Sequence, residues 1–183
     1  MSVSDRSVTP DPAPTLVSRY RGAMSEETPL PERSRVVQQH LSAAGVDTTI
    51  RVLPDSARTA AAAAAAIGCD VAAIANSLVF IADGEPVLVM TSGGHRADLA
   101  VLTASIGARE VSMAPASVVR AATGQAIGGV APAGHPAPLR TFLDDALQED
   151  DELWAAAGHP HTVMPLTFDQ LRLITGGTVI AVA

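Results

Sequence analysis

The stretch SLVFIADGEPVLVM, residues 77–90, contains two apolar runs separated by Asp83-Gly84-Glu85. Valine, isoleucine and phenylalanine favour strands, and a glycine between two such runs is typical of a tight β-hairpin turn. The pattern predicts a β-hairpin formed by residues 77–82 and 86–90. We place this hairpin at the centre of the predicted sheet.

Predicted helices and shorter strands surround the hairpin. A first helix begins near Glu32 and stops at Gly45, and a second runs through the alanines to Ile67, with Asp55 or Ser56 as its cap. The other predicted helices cover residues 99–107, 115–124 and 167–176, and the other strands cover 48–53, 109–113, 139–143, 152–157 and 178–182. This alternation predicts an α/β protein of the α+β type, with a mixed sheet and flanking helices.

The first 31 residues differ from the rest of the chain. They are rich in Ser, Thr, Pro and charge and show no sustained hydrophobic period. Such a composition buries too little apolar surface to fold, so residues 1–31 are predicted to be a disordered tail and residues 32–183 one domain. Met24 opens a segment that looks like a natural start, and the sequence leaves open whether Met1 or Met24 begins the protein.

The composition limits the classes of function that this protein can have. The chain has 183 residues, of which 48% are hydrophobic, but no uncharged apolar run approaches the roughly 20 residues that span a bilayer. The single cysteine, Cys69, excludes an internal disulfide, and no export signal is evident, so we expect a cytoplasmic protein without a membrane partner. All twelve basic residues are arginines and the net charge is −7. This balance argues against DNA and other long nucleic acids and leaves room for a small contact with a nucleic-acid end.

The segment Thr123-Gly-Gln-Ala-Ile-Gly-Gly-Val-Ala-Pro-Ala-Gly-His-Pro136, hereafter the glycine loop, indicates ligand contact through the backbone. Glycine permits positive φ angles and leaves no Cβ in the way, while proline stiffens the path. A loop of this kind presents amides and carbonyls to a ligand. The alternative interpretation is a structural turn between a helix and a strand.

A second glycine-containing junction, Thr91-Ser-Gly-Gly-His-Arg-Ala-Asp98, lies between a predicted strand and a helix. It can hold an anion on exposed amides, but its spacing is not the dinucleotide fingerprint. Arg96 and Asp98 are expected to orient the loop or to pair locally, and no catalytic role is assigned to His95 or to His40.

The order of several short motifs resembles the YbaK/EbsC family, the free-standing relatives of the editing insertion of bacterial prolyl-tRNA synthetases. The resemblance runs from about Arg33 to the C-terminus. It is carried by Thr59 before an alanine-rich helix, by residues 74–80 (IANSLVF), 84–89 (GEPVLV) and 94–98 (GHRAD), and by Thr123-Gly124, 128–132 (GGVAP), Gly134, Leu143-Asp144 and Ala157-Gly158. It implies a curled mixed, largely antiparallel sheet whose pocket takes the aminoacyl group and terminal adenosine of a mischarged tRNA and hydrolyses the ester between them.

The chemistry of ester hydrolysis indicates which residues matter. Backbone N–H groups in a glycine loop can stabilise the developing oxyanion, so Gly128 to Pro132, with Gly128 and Gly129 at their head, are the predicted cradle. Asp144 either orients the ribose or a water, or caps the following segment. Asn76 stands where many of these deacylases carry a lysine, and an amide can donate a hydrogen bond but cannot offset charge.

The remaining predicted contacts come from the same resemblance and from the loops around the predicted pocket. Thr59 either faces the pocket or binds its own backbone. A histidine after Gly158 is a plausible substrate contact, and the sequence does not distinguish His159 from His161. The predicted substrate-binding residues are Thr59, Ser77, Arg96, Thr123, Gly124, Val130, Pro132, Gly134, His135, Gly158, His159 and His161. No cofactor is expected, and the histidine spacing matches no zinc signature, so no metal site is predicted.

Two functional hypotheses remain. The first is a trans-editing deacylase that hydrolyses the ester of a mischarged tRNA carrying a small amino acid, recognising mainly the acceptor end. The second is a binding module of the same fold, in which Asn76 indicates that hydrolytic activity has been lost. Such a module holds an aminoacyl-adenosine-like ligand in its pocket or docks on a synthetase.

Overall fold

The computed structural model describes residues 29–54 and 59–183, and the predicted tail over residues 1–31 falls almost entirely outside them. Five α-helices and eight strands form within these ranges, together with the short 3₁₀ helices Val71–Ala73 and Asp145–Gln148. The helices are α1 Glu32–Ala43, α2 Ala60–Ile67, α3 Leu99–Ile106, α4 Ala116–Thr123 and α5 Phe168–Thr175. The strands are β1 Arg51–Val52, β2 Ile74–Ala82, β3 Glu85–Ser92, β4 Val111–Met113, β5 Thr141–Asp144, β6 Leu153–Ala156, β7 Thr162–Leu166 and β8 Thr178–Ile180.

The strands form one mixed sheet in the order β1-β7-β6-β2-β3-β5-β8, and β4 pairs with the far end of β2. Within the described residues, β2 pairs antiparallel with β3 and β4, and β7 pairs antiparallel with β1 and β6. Parallel pairs join β2 to β6, β3 to β5 and β5 to β8. The predicted α/β fold with a mixed, mostly antiparallel sheet is therefore confirmed.

The β2–β3 hairpin occupies the middle of the sheet, as the sequence predicts. Its turn consists of Asp83 at φ 50° and Gly84 at φ 91°, and positive φ at both turn residues matches the twist of the two strands. The Asp83 carboxylate accepts hydrogen bonds from the N–H groups of Arg109 and Glu110, which bring the start of β4 to the hairpin.

The core lies on both faces of this hairpin. Successive residues of β3 alternate between two clusters: Leu88 and Met90 pack with α1 and α5 residues, whereas Val87 and Val89 pack with α3 residues. This alternation follows from the period of two along a strand. A third, smaller cluster joins α2 to β6 and β7.

One local prediction is wrong, and one strand was missed. Helix α2 begins at Ala60 with Thr59 as its N-cap, and the predicted caps Asp55 and Ser56 lie outside the described residues. The strand β7 was not predicted, because Pro165 interrupts its apolar pattern. Pro165 is tolerated because the neighbouring strand β1 begins only at Arg51, opposite Val163, so no ladder partner faces the proline on that side.

Candidate active site

A cavity of about 250 Å³ opens between the first residues of β2, the strands β6 and β7, the first turns of α2 and the glycine loop. We call it the β2 cavity. Of the predicted site residues, Thr59, Asn76, Ser77, Gly128 and Val130 line it. None of the described residues that line it is charged. These described residues therefore offer a substrate group hydrogen-bonding and apolar atoms and no charge.

Asn76 lies on the floor of the β2 cavity. The strand β2 holds it opposite Thr91 of β3, and two residues earlier Ile74 pairs with Trp154 of β6. The side chain is half-buried, and within the described part of the chain its amide makes no hydrogen bond. Asn76 can therefore offer its amide to a ligand.

The neighbouring Ser77 is less available. Its hydroxyl donates to the sulfur Sδ of Met90 at 3.2 Å, which turns it toward the hairpin partner. The Thr59 hydroxyl accepts a hydrogen bond from the Ala62 N–H, as the backbone-bonded alternative has it, and the residue also lines the cavity.

The glycine loop forms one wall of the β2 cavity. Gly128 has φ 85°, a conformation that other residues rarely adopt. Gly129 packs against the loop before β7, because a Cβ at Gly129 would lie 2.6 Å from the nitrogen of Pro160. These two glycines are needed for different reasons, the first for its backbone conformation and the second for a close approach of two backbones.

The N–H groups of the glycine loop divide into bonded and unbonded ones. The Gly129 N–H donates to the Ala126 carbonyl at 2.9 Å, and the Ala131 N–H donates to Oε1 of Gln125 at 2.6 Å. No acceptor among the described residues binds the N–H groups of Gly128 and Val130. Within the oxyanion cradle predicted over residues 128–132, the N–H groups that remain available to a substrate are therefore these two.

Asp144 does not line the β2 cavity. It is fully buried, and its oxygens accept hydrogen bonds from the N–H groups of Ser92 and Ala146 and contact Nδ1 of His95 at 3.0 Å. These contacts match the capping alternative. Because these protein groups already bind the Asp144 carboxylate, the structure does not support direct contact between Asp144 and a ribose or a water in the cavity.

The histidines separate into two groups. The rings of His159 and His161 lie 5.4 Å apart beside Pro160, at the edge of the β2 cavity. His135 instead lines a different cavity of about 620 Å³ together with His40. His135 therefore does not share the β2 cavity with His159 and His161.

Burial lowers the pKa of His135 below its ordinary value of 6.5, and the hydrogen bond between its Nε2 and the Ala131 carbonyl only partly opposes this effect. Nearby charge from His40 lowers the pKa of His135 further. His135 is therefore expected to be neutral at physiological pH.

Several predicted contacts shape the loop or lie away from the β2 cavity. Thr123 and Gly124 close α4, where the Thr123 hydroxyl donates to the Val119 carbonyl. Gly134 and Gly158 have positive φ and pack against α1. Arg96 is exposed in the turn before α3. Pro132 and Gly134 line the cavity that contains His135.

Sequence reasoning did not identify several residues of the site. Ile127, Trp154, Pro160 and Thr162 line the β2 cavity, and Gln125 braces the glycine loop. Trp154 is the only tryptophan in the chain, which could have drawn attention to it. Thr162 belongs to the unpredicted strand β7, so nothing in the sequence pattern placed it beside Asn76.

Cys69 is half-buried beside α2, and burial raises the pKa of its thiol, which opposes a role as nucleophile. Within residues 29–54 and 59–183, no three His, Cys, Asp or Glu side chains cluster as metal ligands. No helix of the same ranges is long and apolar enough to cross a membrane.

The family model for the aminoacyl-tRNA editing domain matches residues 54–174, a range that contains every described residue of the β2 cavity except Leu53. The chain belongs to the aminoacyl-tRNA editing domain family. The resemblance seen in the sequence is thereby confirmed, and the β2 cavity lies within this editing domain.

The chain is similar to a solved structure and to two curated proteins. A crystal structure described as a candidate trans-editing enzyme for prolyl tRNA synthetase matches with a TM-score of 0.80 and 38% identity, covering 84% of this chain and 98% of that one. The proline–tRNA ligase of Nitratidesulfovibrio vulgaris strain DP4 is 28% identical over 65% of this chain and 21% of the ligase. The uncharacterized protein YwhH of Bacillus subtilis strain 168 is 27% identical over 74% of this chain and 86% of YwhH. The editing domain thus spans about a fifth of the ligase's length.

Proposed function

We propose that this protein is a trans-editing deacylase, which hydrolyses the ester of a mischarged tRNA carrying a small amino acid. The observation that carries the proposal is a set of unbonded donors in a cavity whose described lining residues carry no charge: the Asn76 amide on the floor and the Gly128 and Val130 N–H groups in the wall. Donors placed in advance stabilise the negative charge that develops on an ester carbonyl oxygen.

The size of the β2 cavity favours a small aminoacyl group. Its volume of about 250 Å³ lies below the roughly 300–1,000 Å³ of typical small-molecule sites. A short side chain and the ester fit inside, while the terminal nucleoside has to lie at the mouth. Ile127 lines the cavity and its surface is 62% exposed, so it offers apolar surface to a nucleoside at the mouth.

The mechanism that this site supports needs no protein nucleophile. A water molecule adds to the carbonyl carbon and releases a proton, and the oxyanion receives hydrogen bonds from the two loop amides. The bond between the carbonyl carbon and the ribose oxygen then breaks, and that oxygen takes up a proton. Asn76 can orient the attacking water or donate to the oxyanion, and its neutral amide places no charge beside either.

The proposed partner is the acceptor end of an aminoacyl-tRNA, with an aminoacyl-tRNA synthetase as a second candidate. A net charge of −7 suits a small footprint on the tRNA end, because an acidic surface repels long stretches of phosphate. Residues 32–183 are the proposed functional unit, and the proposed location is the cytoplasm.

The alternative function is a binding module without efficient hydrolysis, and Asn76 is the observation in its favour. A hydrogen bond from a charged donor is worth roughly 1.5–3 kcal/mol, and an asparagine forgoes that charge. In this case the β2 cavity would hold an aminoacyl-adenosine-like ligand.

A deacylation assay distinguishes the two functions. The full chain is incubated with a panel of mischarged tRNAs, beside Asn76→Ala, Asn76→Lys and the exposed strand control Ser112→Ala. Hydrolysis of one ester by the native protein and by Ser112→Ala, weakened in Asn76→Ala, supports the deacylase. Activity only in Asn76→Lys supports the binding module, and no activity in any variant contradicts the deacylase.

A further inference from the structure

Gln125 connects the end of α4 to the far side of the glycine loop. Only 3% of its surface is exposed. Its Oε1 accepts a hydrogen bond from the Ala131 N–H at 2.6 Å, and its Nε2 donates to the Ala133 carbonyl at 3.0 Å. One side chain therefore binds the loop backbone on both sides of Pro132.

The backbone of Gln125 is also held in place. Its N–H donates to the Thr123 hydroxyl at 3.1 Å, and this hydroxyl donates to the Val119 carbonyl at 2.7 Å. Thr123 is fully buried in the last turn of α4. A buried network in which every member has a partner is rigid, so the loop is anchored to the helix through Gln125.

The bond to Ala131 bears directly on the unbonded amides. This hydrogen bond makes the Ala131 N–H unavailable to a ligand. It also fixes the plane of the peptide group that follows Val130. On the other side of Val130, Gly129 packs against His159 and Pro160 and donates to the Ala126 carbonyl. The Val130 N–H is therefore held from both sides in one orientation.

We propose that Gln125 is a positioning residue, which holds the glycine loop in the conformation in which the Gly128 and Val130 N–H groups donate to the substrate carbonyl oxygen. This inference rests on the proposed function. Without the Gln125 amide, the Ala131 N–H and the Ala133 carbonyl have to find other partners, and the loop moves to supply them. The Gly128 and Val130 N–H groups then lose the alignment that lowers the activation barrier of ester hydrolysis.

The first test replaces Gln125 by methionine, which is similar in size and lacks both hydrogen bonds. The kcat of Gln125→Met should fall on the order of 10- to 100-fold while KM changes little, because a small misplacement of donors costs that much in rate. The matched control is Gln148→Met, since Gln148 is exposed and its Nε2 donates to the backbone carbonyl of Asp145. The thermal midpoint and hydrogen exchange of the Ala131 amide are measured for each variant.

The second test uses Gln125→Glu, which keeps the shape of the side chain. A protonated carboxyl can accept from the Ala131 N–H and donate to the Ala133 carbonyl, as the native amide does, whereas a carboxylate only accepts. The ratio of variant to native kcat should therefore rise as the pH falls. The charged or titratable groups beside this segment, Arg33 next to Gly124 and His135 on the Ala131 carbonyl, are present in both proteins and cancel in the ratio.

The outcomes separate this inference from the proposed function. Native kcat in folded Gln125→Met, or a flat ratio for Gln125→Glu, overturns the positioning role and leaves the deacylase standing. If the native protein hydrolyses no ester, the deacylase fails, and an NMR titration with a non-hydrolysable amide analogue of 3′-alanyl-adenosine decides the positioning role. Shifts of the Gly128 and Val130 amides in the native protein but not in Gln125→Met support it, and equal shifts or none overturn it.

Discussion

A Cβ added to Gly129 would lie 2.5 Å from the carbonyl carbon of His159. The glycine loop and the loop before β7 therefore touch backbone to backbone, and neither can yield by rotating a side chain. This contact sets the width of the β2 cavity on its loop side.

Gly129→Ala should lower kcat by on the order of 10- to 100-fold, because the methyl group pushes the unbonded loop amides away from the cavity. Single-turnover hydrolysis of the preferred aminoacyl-tRNA measures the effect. Gly94→Ala is the matched control, since its Cβ meets nothing closer than 3.6 Å and its φ is not positive. Equal activity in both variants would show that the backbone contact is not needed.

Asn76→Asp should impair hydrolysis more than Asn76→Ala. The two side chains of Asn and Asp have the same shape, but the carboxylate places a negative charge beside an oxyanion in a cavity whose described lining residues include no cation. The kcat/KM values of both variants on the same tRNA measure the difference. If the Asp variant is the more active of the two, Asn76 does not lie beside the developing charge.

Asp144→Ala should destabilise the fold by roughly 2–4 kcal/mol, because it leaves the buried N–H of Ser92 and the N–H of Ala146 without their acceptor. Urea unfolding measures the loss, and the exposed neighbour Asp145→Ala serves as the control. The rate per folded molecule should remain close to native. A stable variant without activity would restore a direct catalytic role for Asp144.

His135 should make the protein less stable in acid. Because burial lowers the pKa of His135 in the folded state, its contribution to stability is complete above the ordinary value of 6.5 and is lost as the pH falls through the folded-state pKa. The free energy of unfolding at pH 7.5 and pH 5 should therefore differ less in His135→Gln than in the native protein.

The exposed His40 supplies a second comparison for this prediction. Its charge is the smallest of the named influences on the pKa of His135, so His40→Gln should remove only a minor part of the acid loss. Identical pH dependence in the native protein and in His135→Gln would contradict the assignment.

The sequence predicted the parts of the fold that depend on local signals. The apolar runs around Asp83-Gly84 identified the central hairpin, and Thr167 with Gln170 forms the capping box of the last predicted helix. It missed β7, because Pro165 breaks the strand pattern and only the short neighbour β1 makes the proline acceptable.

The candidate site was predictable only in part. Asn76, Gly128 and Val130 were found through motifs, since glycine spacing and a departure from a family pattern are visible in one sequence. Trp154 and Thr162 enter the cavity through strand pairing, which no local pattern encodes. The burial of Asp144 depends on contacts with Ser92 and His95, and these also arise only when distant segments meet.

The pairing of Ile74 with Trp154 and of Ala75 with Ala155 joins segments from opposite halves of the chain. Closing so long a stretch costs chain entropy before any contact is gained, so contacts of this kind form late and slow the folding of a protein. The β2–β3 hairpin can form early from its own turn, whereas the floor of the cavity is complete only after β6 has docked beside β2. During synthesis, while the residues of β6 and β7 are still inside the ribosome, Asn76 would thus lie on a formed strand without a pocket around it.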